Sequence, residues 1–222
     1  MIKLSNNKRL SRRTVIKGGV LLGTVTAIGL MSTKALWAEQ VVPPNTVPLS
    51  KKKQIGFCYD ERKCIRCEMC VKICRNTYKW EEGTIWRKLL KNEKGEALSM
   101  SCNHCTDPAC AKVCPVVAYT KRESDGIVIH NPARCVGCGY CLYACPYHAP
   151  RIGEKTGAVS KCHFCYKLQD AGQGPLCVGV CPTQALTMGD MTELSQKGDL
   201  NYKGLPDPKI TKPNMIAIPQ NQ

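Results

Sequence analysis

Arg134-Cys-Val-Gly-Cys-Gly-Tyr-Cys-Leu-Tyr-Ala-Cys-Pro146 decides how this chain is read. It sets Cys135, Cys138, Cys141 and Cys145 in the spacing C-x2-C-x2-C-x3-C and closes on Pro146. Three cysteines two residues apart form a tight loop that wraps one side of a compact object and leaves backbone N–H groups free to point at its sulfurs. The fourth, three residues on, sits at the start of a short helix facing the other way, and the proline fixes the chain as it leaves. An object that needs four thiolates in this arrangement is a [4Fe–4S] cube, and in two-cluster ferredoxins the fourth cysteine ligates the other cluster.

Reading outward, the pattern recurs three times. Cys64, Cys67, Cys70 and Cys74 repeat C-x2-C-x2-C-x3-C, followed by Arg75 instead of proline. Cys102, Cys105, Cys110 and Cys114 form C-x2-C-x4-C-x3-C before Pro115, and Cys162, Cys165, Cys177 and Cys181 form C-x2-C-x11-C-x3-C before Pro182. Of 17 cysteines, only Cys58 is left over. It lies in the apolar run Ile55–Tyr59 and reads as a buried free thiol. Zinc ribbons pair two C-x2-C doublets and leave the third cysteine and the x3-C-P step unexplained. A disulfide framework fits neither the odd count nor such closely spaced triplets. No base is set beside any one thiol to make it a nucleophile.

The chain has 222 residues and a formal charge of +15. Residues 1–38 contribute seven basic side chains and no acid, so the remainder carries +8. Four clusters at about −2 each, thiolates included, bring the holoprotein near neutrality. The composition excludes a disordered tail protein and a membrane bundle. The charge balance also argues against a nucleic-acid binder.

The first 38 residues read as an address. Ser11-Arg12-Arg13-Thr14-Val15-Ile16-Lys17 resembles a twin-arginine export signal, and the apolar stretch Gly18–Met31 fits a signal h-region. Cleavage is expected after Ala38, with Ala35 as the substitute. Such signals carry folded proteins, which suits a chain that acquires clusters in the reducing cytoplasm before entering an oxidising compartment. Residues 39–53, with Pro43, Pro44, Pro48 and Lys51–Lys53, read as a linker.

The expected fold class is α+β: two ferredoxin-like [4Fe–4S] units with a pseudo-twofold relation, loop-rich and organised by their clusters over residues 54–190. Strands are expected at Ile55–Tyr59, Gly126–His130 and Ala185–Met188. Short helices are expected within Glu68–Arg75, Pro108–Cys114, Gly139–Cys145 and Pro175–Cys181. Residues 75–101, with Trp80, Trp86 and mixed charge, read as a surface insertion. Residues 191–222 show little core-forming pattern and read as a C-terminal arm laid on a partner. Arg66, Lys72, Arg75, Lys112, Arg134 and Lys161 stand beside cysteines where they would raise cluster potentials. His104 and His163 lie inside C-x2-C pairs. His130 and His148 carry no special signal.

Ser101-Cys-Asn-His-Cys-Thr-Asp-Pro-Ala-Cys-Ala-Lys-Val-Cys-Pro115, the stretch at Arg134–Tyr147, and Lys161-Cys-His-Phe-Cys-Tyr with Pro175-Leu-Cys-Val-Gly-Val-Cys-Pro-Thr-Gln-Ala-Leu resemble the last three motifs of the four-cluster electron-transfer subunits of molybdopterin oxidoreductases. Lys212-Pro-Asn-Met-Ile216 and Gly198-Asp-Leu200 add a resemblance to the dimethyl sulfoxide reductase branch. The resemblance covers roughly residues 54–216. It implies crossed ligand sets: Cys64, Cys67, Cys70 and Cys181 for cluster one, and Cys74, Cys162, Cys165 and Cys177 for cluster two. Cys102, Cys105, Cys110 and Cys145 would hold cluster three, and Cys114, Cys135, Cys138 and Cys141 cluster four. It also implies a non-catalytic relay between a quinol-oxidising membrane subunit and a molybdopterin catalytic subunit in anaerobic respiration. The export signal favours a periplasmic location. It also keeps open the relatives that export themselves: a nitrite reductase-linked ferredoxin subunit acting with a cytochrome, or donors in thiosulfate, tetrathionate or polysulfide systems.

Overall fold

The computed structural model describes residues 53–220, apart from Lys94, Asp199, Asn201 and Lys203. The export signal, its cleavage sites and nearly all of the linker lie outside the described residues, as does Asp199. In order, the chain forms β1 (Ile55–Asp60), α1 (Met69–Tyr78), β2 (Arg87–Lys91), β3 (Ala97–Ser101), α2 (Ala109–Lys112), β4 (Tyr119–Lys121) and β5 (Val128–His130). There follow α3 (Tyr140–Ala144), β6 (Arg151–Ile152), β7 (Val159–Ser160), α4 (Tyr166–Asp170), α5 (Leu176–Gly179), β8 (Leu186–Asp190), α6 (Met191–Leu194) and β9 (Met215–Ile218). Mixed short helices and strands in a loop-rich chain make this α+β. Among the described residues no helix is long and apolar enough to cross a membrane.

The main sheet has the order β8-β1-β9. β1 pairs antiparallel with β8, Phe57 opposite Met188, and parallel with β9, Phe57 opposite Met215. Its six residues are all buried, as befits a central strand covered on both faces. Phe57 stacks on Phe164 with ring centroids 4.0 Å apart. Met215, Leu186, Tyr59 and Ile127 complete the main core around them. Gly56 permits a close approach: a Cβ there would stand 2.6 Å from the backbone oxygen of Asn214. Gly56→Ala is therefore expected to cost about 3 kcal/mol, the upper end of overpacking, seen as a lower thermal midpoint of the holoprotein.

Two sequence expectations change. The stretch 75–101 is not a purely surface segment. α1 runs on to Tyr78, and β2 and β3 form a hairpin whose inner strand β3 is wholly buried. The reason for the longer helix is visible in the sequence. α2, α3 and α5 all stop before a cysteine followed by proline, which disfavours helix in the residue preceding it. Cys74 is followed by Arg75 and carries no such stop. The segment 191–222 is likewise not a free arm. Leu194 and Leu200 are buried, and β9 completes the main sheet with Met215 1% and Ile216 3% exposed.

Candidate metal centres

Each cysteine loop turns on left-handed residues. In the first, Arg66 and Glu68 adopt φ of 59° and 60°; in the third, Gly137 and Gly139 hold the same two places at 68° and 77°. In the second and fourth, His104 and Phe164 occupy the site before the second cysteine, at 45° and 57°. After the last three motifs, Val117, His148 and Gln184 repeat the turn, each three residues beyond the final cysteine, at 49°, 51° and 53°. A positive φ is costly for a β-branched residue such as Val117. What these turns achieve is to aim backbone N–H groups at sulfur. Ala118 N–H donates to Cys114 Sγ at 3.2 Å, Phe164 N–H to Cys162 Sγ at 3.4 Å, and Gly137 N–H to Cys135 Sγ at 3.5 Å. Ala149 N–H donates to Cys145 Sγ at 3.5 Å, and Val159 N–H to Cys135 Sγ at 3.4 Å.

The thiols gather around cavities. One is lined by Cys102, Cys105, Cys110 and Cys145. A second is lined by Cys64, Cys67, Cys70 and Cys181. A third is lined by Cys114, Cys135, Cys138 and Cys141. Each draws cysteines from two motifs that are separate in sequence. Cys74 faces Cys162, Cys165 and Cys177. Its thiol is pushed far up by burial and then by those neighbours, with Arg87 opposing. Burial also raises Cys110 well above its usual range, and Cys105 and Cys162 to about 12. Thiols packed this way ionise together only when cations enter, because bound metal replaces the protons.

A single tetrahedral ion needs its ligands to converge within about 2.3 Å of one point. Among the described residues no three His, Cys, Asp or Glu side chains converge in that manner. The donor set instead surrounds space. Buried polar groups without partners line that space too. Asn103 and His104 stand at the first cavity, and His130 at the third. Buried donors are nearly always satisfied, so these point to a group with acceptor atoms of its own, as the sulfides of a cluster are. His104 Nδ1 accepts from Val128 N–H at 3.1 Å, which leaves the ring proton on Nε2, the unpartnered atom. Burial, then Lys161 and Lys121, hold this imidazole well below its ordinary pKa, so it is neutral. The residues present fit iron–sulfur clusters.

Neighbouring groups of cysteines are linked pairwise. Cys70 and Cys74 share α1, the Cys102 thiol acts on Cys162, and Tyr119 lies beside both Cys110 and Cys141. Cys67 is exposed beside Ile65 (63% exposed) and Met69, and Cys138 is exposed beside Val136 (64%), Tyr140 and Tyr143 (90%).

Of the six basic residues singled out by sequence, Arg66, Lys72, Arg75, Lys112 and Arg134 face solvent. Lys161 is buried and donates to the carbonyls of Val128 and Cys162. Two further buried cations escaped the sequence reading. Lys121 donates to Gln54 Oε1 and to the carbonyls of Cys105 and Gly126, and Arg87 is 1% exposed. His163 packs edge-on to Tyr78, Trp86 and Tyr166, and accepts from Cys165 N–H through Nδ1. Burial and Lys161 lower it to about 4. Cys58 lies in β1 against Leu194 and Ile216, away from every quartet.

A family model described as a 4Fe-4S dicluster domain matches residues 94–191. The sequence is 40% identical over 187 residues to the B subunit of anaerobic dimethyl sulfoxide reductase of Escherichia coli (strain K12), covering 75% of this chain and 89% of that one. It is 34% identical over 212 residues to Protein NrfC of the same strain, covering 88% and 93%. It is 34% identical over 174 residues to the formate dehydrogenase iron-sulfur subunit of Wolinella succinogenes, covering 66% and 86%.

Proposed function

Because this protein belongs to the iron–sulfur subunit family that includes the B subunit of anaerobic dimethyl sulfoxide reductase, we propose that it relays electrons between a quinol-oxidising membrane subunit and a molybdopterin catalytic subunit. It is an electron-transfer subunit of an oxidoreductase complex and not the catalytic one, and its 17 cysteines and dicluster domain fit four [4Fe–4S] clusters. We assign the ligands as crossed sets: Cys64, Cys67, Cys70 and Cys181; Cys74, Cys162, Cys165 and Cys177; Cys102, Cys105, Cys110 and Cys145; and Cys114, Cys135, Cys138 and Cys141. The observation that carries this is the set of three cavities, each lined by four cysteines from two distant motifs. The repeated left-handed turns support two ferredoxin-like units.

When bound, a [4Fe–4S] cluster takes up and gives back one electron without rearranging its ligands. The protein's own part is to hold sixteen thiolates, to point N–H groups at their sulfurs, and to bury the inner sites. N–H donors and burial tune the potential. Only the outermost quartets have an exposed cysteine with an apolar rim, so electrons enter at one end and leave at the other. Those rims at Ile65 and Met69 and at Val136, Tyr140 and Tyr143 are the expected docking faces for the two partner subunits.

The export signal leads us to a periplasmic location, reached by the twin-arginine route. A second system remains open on a specific ground. The match to Protein NrfC covers 88% of this chain, against 75% for the dimethyl sulfoxide reductase B subunit, so it extends to residues that precede the first strand. That longer overlap supports a relative of the nitrite reductase-linked kind. The deciding test is the metal content of the complex purified anaerobically from native membranes. The expected result is ~16 iron per copy of this chain after subtracting the partner's iron, with molybdenum in near-equal amount. Iron at that level with haem and no molybdenum would assign the protein to the cytochrome-linked system. Zinc in place of iron would overturn the relay.

A further inference from the structure

Among the described residues, Arg87 is a buried cation with no carboxylate partner. It leaves β2 pointing inward, and its guanidinium donates to Ser99 Oγ and Ser101 Oγ, both at 2.9 Å. Its Cζ lies 4.6 Å from the centroid of Phe57. Two hydroxyls and a ring face are neutral. No carboxylate stands within salt-bridge distance of it among the described residues. A full charge taken out of water without a counter-ion is strongly unfavourable, so the fold must supply negative charge from another source.

The surroundings identify that source. Ser99, which accepts from Arg87, lies 3.7 Å from Cys70 Sγ through the same hydroxyl oxygen, so one hydroxyl joins the guanidinium to the first quartet. The guanidinium also acts electrostatically on the thiols of Cys74, Cys162 and Cys177 of the second quartet, lowering the pKa of each. Burial alone would lower the Arg87 pKa, yet the thiols of Cys177, Cys162, Cys70 and Cys74 hold it raised. An arginine keeps its proton throughout the physiological range, so this is a fixed charge and not a switch.

We infer that Arg87 is the shared counter-charge of the first two clusters, set between them to raise both reduction potentials. The inference rests on the ligand sets proposed above. Each one-electron reduction adds a negative charge to a cluster, and a fixed positive charge nearby favours the reduced form. The effect falls on the pair that flanks Arg87 and leaves the two quartets beyond it nearly untouched. Because both members rise together, Arg87 sets the first pair against the second pair along the relay.

The test is a potentiometric titration of the assembled complex, followed by electron paramagnetic resonance, with the parental chain, Arg87→Met, Arg87→Gln and Arg87→Lys. Iron per chain is measured on each sample. Parental iron well short of four clusters would sink the ligand reading itself, independently of Arg87. With the parental clusters present, the neutral variants are expected to lower two of the four midpoints. The expected drop is tenfold or more in the reduction equilibrium, 59 mV for one electron. The other two midpoints should move by less than a third of that, and Arg87→Lys should restore most of the loss. Four unchanged midpoints, or four equal shifts, would overturn the inference. If the neutral variants lose clusters, Arg87→Lys decides: full cluster content supports a required charge, and equal loss means that the shape of the side chain, not its charge, is what the site needs.

Discussion

A chain ending at Thr211 is expected to lose most of its iron. The missing residues include β9, which lies parallel to β1 at the edge of the main sheet. Burying Met215 and Ile216 contributes about 3–6 kcal/mol together, at about 1.5–3 for each side chain. That is comparable with the whole net stability of a domain, about 5–15 kcal/mol. The tail is also stitched to a cysteine loop. Lys212 O accepts from Thr106 N–H at 2.8 Å, Asn214 N–H donates to Asn103 O at 3.0 Å, and Asn214 Nδ2 donates to His104 O at 2.7 Å. Asn103, His104 and Thr106 surround Cys105. Truncation thus frees the loop that carries Cys102 and Cys105 and turns β1 into an open edge. Iron per chain and soluble yield measure the outcome, with less than half the parental iron expected. Full iron with only partner association lost would return the tail to the role of an arm.

The cysteine frame was legible because coordination chemistry dictates it: four thiolates around a small object leave little freedom in spacing, and proline after the final cysteine marks three of the four motifs. Helix positions followed from the same marks, and so does the longer α1, once the absence of proline at Arg75 is weighed. β9 was hidden because Met-Ile-Ala-Ile is a four-residue apolar run at the far end of a polar tail, and its partner strand is more than 150 residues away. The β2–β3 hairpin announced itself only through Asn92 and Gly95, the latter at φ 79°. Its strand residues Arg87-Lys-Leu-Leu-Lys91 read as mixed charge. Arg87 was the least legible residue of all. A charged side chain is normally taken as solvent-facing, and on the inference above this one is buried because the clusters held by neighbouring cysteines supply its counter-charge. The buried Lys121 was missed as well, its ammonium satisfied by the carbonyls of Cys105 and Gly126 and by Gln54 Oε1.

Cys70→Ser and Cys74→Ser, four residues apart on α1, are expected to destroy different clusters. Four residues span about 6 Å of helix, and the two side chains point to the same side of it. Yet Cys70 lines the cavity of Cys64, Cys67 and Cys181, whereas Cys74 is buried against Cys162, Cys165 and Cys177. Cys70→Ser should therefore abolish or convert the same resonance signal as Cys181→Ser, and Cys74→Ser the same signal as Cys177→Ser. Each single variant should lose about a quarter of the iron if its cluster is lost whole, and less if a three-iron cluster remains. If Cys70→Ser and Cys74→Ser remove one and the same signal, each motif holds its own cluster and the crossed assignment fails. The crossing has a consequence for conduction. A motif that gives three thiolates to one cluster and the fourth to its neighbour ties the two together through a single turn of helix. On the crossed assignment the separation is set by the backbone of α1 and not by packing between loops, so transfer between these two clusters keeps its distance even when the exposed rim at Ile65 and Met69 adjusts to a partner.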